Sequence, residues 1–465
     1  MRYFCAIDIG ASSGRHVLGH IQDGKLVIEE VHRFPNGFVK KAGRFVWDID
    51  MLFTEILKGL QKCAAIGKTP EYVGIDTWGV DYILLDKNGN RIGDAIAYRD
   101  PQFNGMDEQV FKYISEQDLY SKTGTQKLAF NTVFQLMGQK LSGGLGSNAS
   151  VLLTIPDYMH YLLSGVMKTE YTVASTTGLL NAWTREWDGE IIFACGYPDI
   201  FQEIVPPGTI LGRLRPQIRE SLGFDCTVIT PASHDTASAI MSLPASDDNP
   251  MYISSGTWSL MGVLLNLPGC DEQSRLHNFA NEGGFGNIRY LKNLMGLWMI
   301  QCVRNKLGST YSYAQLCEMA EHETIESIVD CNDNVFLAPD SMIDAIKDAC
   351  AKTGQKQPDT AGELAAVVYN SLAECYRRTA EEIEQMTHKQ YDSIYIVGGG
   401  SNAEYLNRLT AERTGKTVYA GPSEATSIGN LLAQMIAVRE IPDLQTGRQL
   451  IRESFDIKKY TKNGY

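Results

Sequence analysis

No run of apolar residues in this 465-residue chain approaches the ~18–20 residues that span a bilayer, so no membrane helix is expected. Positive charge is scarce. The chain has 42 Lys and Arg against 55 Asp and Glu, a net charge of −13, with no long basic cluster. A chain of that balance is expected to be a poor nucleic-acid binder. A polyanionic ligand must then be gripped by backbone amides and a metal ion, because the net field repels it. The ten cysteines include no Cys-x-x-Cys pair and no histidine at zinc-finger spacing, so reduced and mostly buried thiols are expected. Residues 1–10 enter a strand-like run with no small-residue cleavage site, so no signal peptide is read and a cytoplasmic location is expected. At 44% hydrophobic and 21% charged, the composition is that of an ordinary globular protein.

What is present is α/β patterning long enough for two or three domains. Tyr3 to Ile9, Arg15 to Ile21 and Lys25 to Phe34 read as strands, with a tight turn at Asp23-Gly24. Met51 to Ala65 reads as a helix and Tyr72 to Asp76 as a buried strand. Gly143 to Ser150 reads as an exposed stretch. A cluster of Pro, Asp and Asn at Leu243 to Pro250 marks a boundary, giving domains 1–243 and 244–465. Beyond it, Met251 to Leu265 repeats the strand, polar turn, strand device of Ala6 to Leu18, which suggests an internal duplication. Gly362 to Met386 is the clearest helix, followed by a strand at Ser393 to Val397, a Gly398-Gly399-Gly400 break and a helix at Ala403 to Thr414.

Candidate chemistry clusters at the breaks. Gly67-Lys68-Thr69 and Gly415-Lys416-Thr417 imitate the end of a P-loop but lack its upstream glycine, and read as turns. Gly10, Ala11, Ser12, Ser13, Gly14 and Arg15 form a small-residue hairpin turn whose amides can converge on an anion, with Asp8 placed to hold Mg²⁺ or its waters. Ser254-Ser255-Gly256-Thr257 is the second such turn. The three glycines 398–400 admit close ligand approach. Ser233-His234-Asp235-Thr236 puts a carboxylate where it can accept a hydroxyl proton, although the same residues also suit a helix N-cap. Asp76 to Asp81 and Lys292 to Trp298 combine aromatic, glycine and polar groups, as a sugar site does; Trp78 and Trp298 equally suit a core.

The succession DIGASSGR, IDTWGVD, AYRD, SHDTASA, SSGTWSLMG, NEGG, KNLMGLW, IVGGGSN and AGPSEATSIGN, spanning Asp8 to about Asn430, resembles the FGGY carbohydrate kinases, and most closely the branch acting on L-rhamnulose. The resemblance implies two actin-like, RNase H-like domains with an active-site cleft between them. It implies transfer of the γ-phosphoryl of ATP to the 1-hydroxyl of L-rhamnulose, in L-rhamnose catabolism. By position it assigns Ala11, Ser12, Ser13, Gly14, Arg15, Thr257, Gln301, Gly399 and Gly400 to ATP, and Asp8 to Mg²⁺. Gly79, Asp81, His234, Thr236 and Asn293 fall to the ketose, and Asp235 to the catalytic base. The C-terminal thirty-five residues carry no mapped motif. The expected partners are sugar and ATP, for a monomer or small homo-oligomer. A kinase for another ketose, such as L-fuculose or xylulose, and a non-metabolic actin-like ATPase remain alternatives.

Overall fold

The computed structural model describes residues 1–146, 148–246 and 250–462. Ser147 of the exposed stretch, Asp247 to Asn249 of the boundary, and the last three residues of the motif-free C-terminal stretch lie outside the described residues. The chain forms two compact units. The first comprises Met1–Ser242, Leu265–Tyr290 and Thr426–Ser454; the second comprises Leu243–Leu264, Leu291–Ala425 and Phe455–Tyr465. The first crossing lies one residue from the expected boundary, yet neither unit is a contiguous half. Residues 265–290 and 426–454 return to the first.

In the first unit the strand Phe4–Ile9 is buried along its whole length, as a central strand covered on both faces must be. It pairs antiparallel with Ser13–Gln22 and parallel with Tyr72–Thr77, which pairs parallel with Thr227–Ile229. Lys25–Pro35 and Ile210–Arg213 form the edges. Asp23 and Gly24 both take positive φ, the backbone a two-residue hairpin needs. The helix Ile49–Ala65 buries Leu52, Ile56, Leu60 and Cys63 on one face and is capped by Asp48, which accepts the Met51 amide. From the returning segment, Gln434 Nε2 donates to Cys5 O at 3.0 Å and Asn430 Nδ2 to Gly74 O at 3.2 Å. A Cβ on Gly74 would lie 2.9 Å from Asn430 Oδ1, so the glycine admits this helix.

The second unit repeats the device. Met251–Ser255 pairs antiparallel with Trp258–Leu265 and parallel with Ser393–Val397, which pairs parallel with Thr417–Ala420. The helix Ala361–Thr387 opens with a Thr360/Glu363 capping box. A hairpin leading into parallel neighbours thus occurs in both units, in the pattern of the actin-like, RNase H-like fold. Two short strands, Phe38–Lys41 and Arg44–Trp47, add to the elements read from sequence. Both false P-loops are turns. Gly67 and Gly415 hold positive φ, Lys68 pairs with Glu29, and Lys416 pairs with Glu384.

Candidate active site

Ligands of α/β sheets bind beyond the carboxyl ends of parallel strands. Three such ends converge in the first unit. Asp8 and Asp76 are register partners on adjacent parallel strands, and Thr77 bridges to His234 in the same sense, with Thr77 N donating to Ser233 O at 2.9 Å. Register alone therefore brings Asp8, Asp76 and the His234-Asp235 pair to one sheet edge. Burial, followed by the charges of Asp8 and Asp235, pushes the Asp76 carboxyl well above its usual range, although Asn430 Nδ2 donates to its Oδ2 at 2.5 Å. Asp76 Oδ1 is buried with no hydrogen-bond partner. Asp8 Oδ2 accepts from Arg15 Nε at 2.9 Å and Nη2 at 2.7 Å. The guanidinium expected to meet phosphate thus lies against Asp8.

Asp235 is the first residue of the helix Asp235–Met241, and His234, not Asp235 or Thr236, occupies the N-cap position. About a quarter of the Asp235 side chain, 26%, stays accessible. Burial raises its carboxyl to about 6; His234 works against that rise and Asp8 adds to it. Behind it lies a group that sequence reasoning passed over. Arg289 is fully buried and donates through Nε to Gly283 O (2.8 Å), through Nη1 to Thr236 Oγ1 (3.0 Å) and through Nη2 to Glu282 Oε2 (2.8 Å). Its Nη2 lies 3.1 Å from His234 Nδ1, which lies 3.3 Å from Glu282 Oε2. Burial alone would raise Glu282, but Arg289 and His234 outweigh it and hold the carboxyl at about 2. Glu170, wholly buried and raised by that burial to about 7, accepts the amides of Thr172, Val173 and Ser233, and so fixes the backbone leading into His234. The sequence signals were the NEGG motif, quoted without a role for Glu282, and a charged residue at 289 inside an apolar strand.

Gly79 is buried, and a Cβ there would sit 2.9 Å from Thr176 Oγ1. Val80 holds φ of 66°, a strained conformation for a β-branched residue. Three bonds impose it: Val80 N donates to Thr176 Oγ1, and Val80 O accepts from Thr132 Oγ1 and Gln135 Nε2. Asp81 departs from its expected role as a sugar contact. It is 1% exposed, and its carboxylate accepts from Trp47 Nε1 (2.6 Å), Trp78 Nε1 (2.9 Å), Gln135 Nε2 (3.0 Å) and Tyr98 N (3.3 Å). Burial raises it to about 6 against those four donors. Its structural work is to lock the Trp47–Trp78 ring pair, whose centroids lie 4.1 Å apart.

At the first hairpin turn Ala11 and Ser12 are exposed and Ser13 is half-buried. Gly14 is different: it sits beneath the Phe34 ring, where a Cβ would collide, so its glycine serves packing. A Cβ on Gly10 would meet Ser13 O at an unstrained 3.5 Å, and one on Gly256 would meet Trp258 O at 3.8 Å; neither residue needs positive φ. Folding does not demand glycine at either position, which leaves room for an approaching ligand as the reason. In the second unit the Gly256–Thr257 turn is braced by Leu297 N to Gly256 O (2.9 Å) and Trp298 N to Thr257 O (3.2 Å), with Gly296 packed against its backbone. Thr257 is exposed, Gln301 is half-buried on the helix Trp298–Lys306, and Asn293 is half-buried on Ile288–Met295. Trp298 is half-buried, its indole Nε1 lacking a partner. Of the three glycines, Gly398 needs its φ of 84° and Gly400 abuts Ser255 Oγ, while Gly399 is exposed with open space where a Cβ would lie.

Among the described residues no group of three or more His, Cys, Asp or Glu forms a metal cage. Oxygen donors at Asp8 and the unpartnered Asp76 Oδ1 nevertheless fit Mg²⁺, which keeps several waters and needs only one or two carboxylates.

Comparison with known proteins identifies the family. Residues 3–242 match the N-terminal domain, and 251–438 the C-terminal domain, of the FGGY family of carbohydrate kinases. A rhamnulokinase of Oceanobacillus iheyensis is 47% identical over 98% of both chains, and one of Halalkalibacterium halodurans is 47% identical over 99% of both. In structure, a ligand-bound xylulose kinase of Lactobacillus acidophilus superposes with a TM-score of 0.82 at 17% identity, covering 99% of this chain and 94% of its own. A gluconate kinase of the same organism gives 0.81 at 16%, covering 99% and 93%. Matched in both domains and along nearly its whole length, the chain belongs to the FGGY family of carbohydrate kinases.

Proposed function

We propose that the chain transfers the γ-phosphoryl group of ATP to the 1-hydroxyl of L-rhamnulose, yielding L-rhamnulose 1-phosphate and ADP, within cytoplasmic L-rhamnose catabolism. The choice of sugar is carried by one observation, the near-full-length identity with rhamnulokinases. In this reading His234, Thr236, Gly79 and Asn293 hold the ketose and Asp235 accepts the 1-hydroxyl proton. Backbone amides of Ala11 to Ser13 and of Thr257, with Gln301, Gly399 and Gly400, hold the nucleotide. Arg15 stays against Asp8 until a ligand competes for it. Mg²⁺, when bound, neutralises phosphate charge as it shifts toward the leaving oxygen, and Asp8 and Asp76 would hold it or its waters.

A panel of ketoses and aldoses with coupled ADP detection tests the assignment. L-Rhamnulose should give the highest kcat/KM. An epimer such as L-fuculose should be much poorer, because buried polar groups built for one stereochemistry are left unpaired by another. A higher kcat/KM for L-fuculose or D-xylulose would reject the sugar assignment and leave the family untouched.

Gly256→Val tests the second turn. The Cβ fits, so the melting temperature should hold, while the added methyls obstruct the path to the backbone and raise KM for ATP at least ~10-fold. An unchanged nucleotide affinity by calorimetry would make the turn purely structural. The pH profile tests the base. Asp235 acts as its carboxylate and titrates near 6, so kcat/KM should be flat above that value and fall tenfold per unit below it. A limb set near 4 would mean that the acting group is not Asp235 in this environment.

A further inference from the structure

We propose that Cys375 and Cys331 form a peroxide-reactive dithiol, in which Cys375 is oxidised to its sulfenic acid and Cys331 closes an intramolecular disulfide. The pair lies in the second unit, and neither cysteine is among the residues assigned to the kinase reaction. Cys375 stands on the helix Ala361–Thr387, and Cys331 comes from the chain 44 positions earlier. Both thiols line a cavity of about 430 Å³ together with Lys292, Asp330, Asn332 and Glu382. The two thiols interact directly, each perturbing the other's ionisation. Asn332 Nδ2 donates to the Cys375 sulfur at 3.2 Å. That amide cannot be turned around, because its Oδ1 accepts Met295 N at 2.8 Å. The Cys375 sulfur therefore faces one fixed amide donor beside the second thiol, surroundings that favour a thiolate.

Geometry divides the two roles, since Cys375 carries the Asn332 amide bond and Cys331 is only 1% exposed. The Cys331 thiol, then the Asn332 amide and Lys292, hold Cys375 below the ordinary thiol range in spite of burial and Asp330. Cys331 is held well above it, by its interaction with Cys375 and by burial. Cys375 is half-buried, whereas eight of the ten cysteines are buried. Cys302 is the other half-buried thiol, and burial raises its pKa, so it is the weaker nucleophile at neutral pH.

In the first step the Cys375 thiolate attacks one oxygen of hydrogen peroxide and the O–O bond breaks. Sulfur loses two electrons to the peroxide, and the departing hydroxide takes a proton to become water. In the second step Cys331 gives up its proton and attacks the Cys375 sulfur. The S–O bond breaks, and hydroxide leaves with that proton as water. Two thiols and one peroxide yield one disulfide and two waters.

Peptide mass spectrometry after peroxide treatment and alkylation tests this on the full-length protein. The wild type should yield a crosslinked 331–375 peptide short by two hydrogens and restored by dithiothreitol. Cys331→Ser should lose the crosslink and instead accumulate a dimedone-trapped sulfenic acid on Cys375. Cys375→Ser should lose both products and leave Cys331 reduced. Under reducing conditions both variants should keep wild-type kcat, which separates the chemistry from misfolding. Absence of the crosslink in the wild type, or oxidation of Cys302 ahead of Cys375, would overturn the proposal whether or not the variants fold.

Discussion

Asp235→Asn is expected to lower kcat by about 10²–10⁴-fold, the range a positioned general base contributes, while ATP affinity stays near wild type. The substitution is nearly isosteric. The amide oxygen can still accept the Thr236 N–H that Asp235 Oδ1 takes at 2.6 Å, so the helix start is kept. What is lost is the acceptor for the hydroxyl proton. Removing one negative charge also relieves Asp76, whose carboxyl is raised in part by Asp235. The melting temperature should therefore hold or rise as activity collapses. Single-turnover kinetics with saturating sugar and ATP measures the effect. A variant keeping more than about a third of wild-type kcat would remove Asp235 from the proton transfer.

The second large effect is expected at Arg289. Replacing it by methionine keeps much of the volume but leaves Glu282 buried without its partner, and removing one member of a buried pair costs about 3–5 kcal/mol. The sign with pH follows from the depressed Glu282 value. A carboxyl held at about 2 in the folded protein, against 4.5 ordinarily, contributes stability that is complete above pH 4.5 and lost as pH falls toward 2. Arg289→Met should destabilise the protein near pH 7 and lose that acid-side dependence. Adding Glu282→Gln should recover part of the loss. Because Arg289 also reaches Thr236 and lies against His234, KM for the sugar should rise more than KM for ATP. Equal melting temperatures for wild type and Arg289→Met across pH 3–7 would show that the ion pair contributes nothing.

What the sequence disclosed depended on distance along the chain. The Asp8–Arg15 hairpin was legible because strand, turn and strand lie within one window, and its echo at 251–265 could be matched by eye. Asp235 could be singled out because Ser233 to Thr236 sit between a strand and a helix within one window, although the same letters suit an N-cap, the position His234 occupies. Asp81 was read as a sugar contact because the indole that turns it inward, Trp47, is 34 residues away on a strand the pattern did not disclose. Arg289 was invisible for the same reason. An arginine in a strand reads as an exposed face until Glu282 and His234, the latter 55 residues away, are seen around it. Gly14 and Gly10 look alike as letters; only the Phe34 ring separates packing from access.

The return of residues 426–454 to the first unit bears on how the protein is made. Asn430 reaches Gly74 and Asp76, and Gln434 reaches Cys5, so the central strands of the first sheet lack these partners until nearly the whole chain has been synthesised. At ~5–20 residues per second, Phe4–Ile9 waits roughly 20–85 s for the helix that completes its surroundings. During that interval the nascent first unit exposes apolar surface meant for the helix Ala425–Ala437. A chain that stalls in its last tenth is then an aggregation hazard and a client for chaperones, not a half-active enzyme.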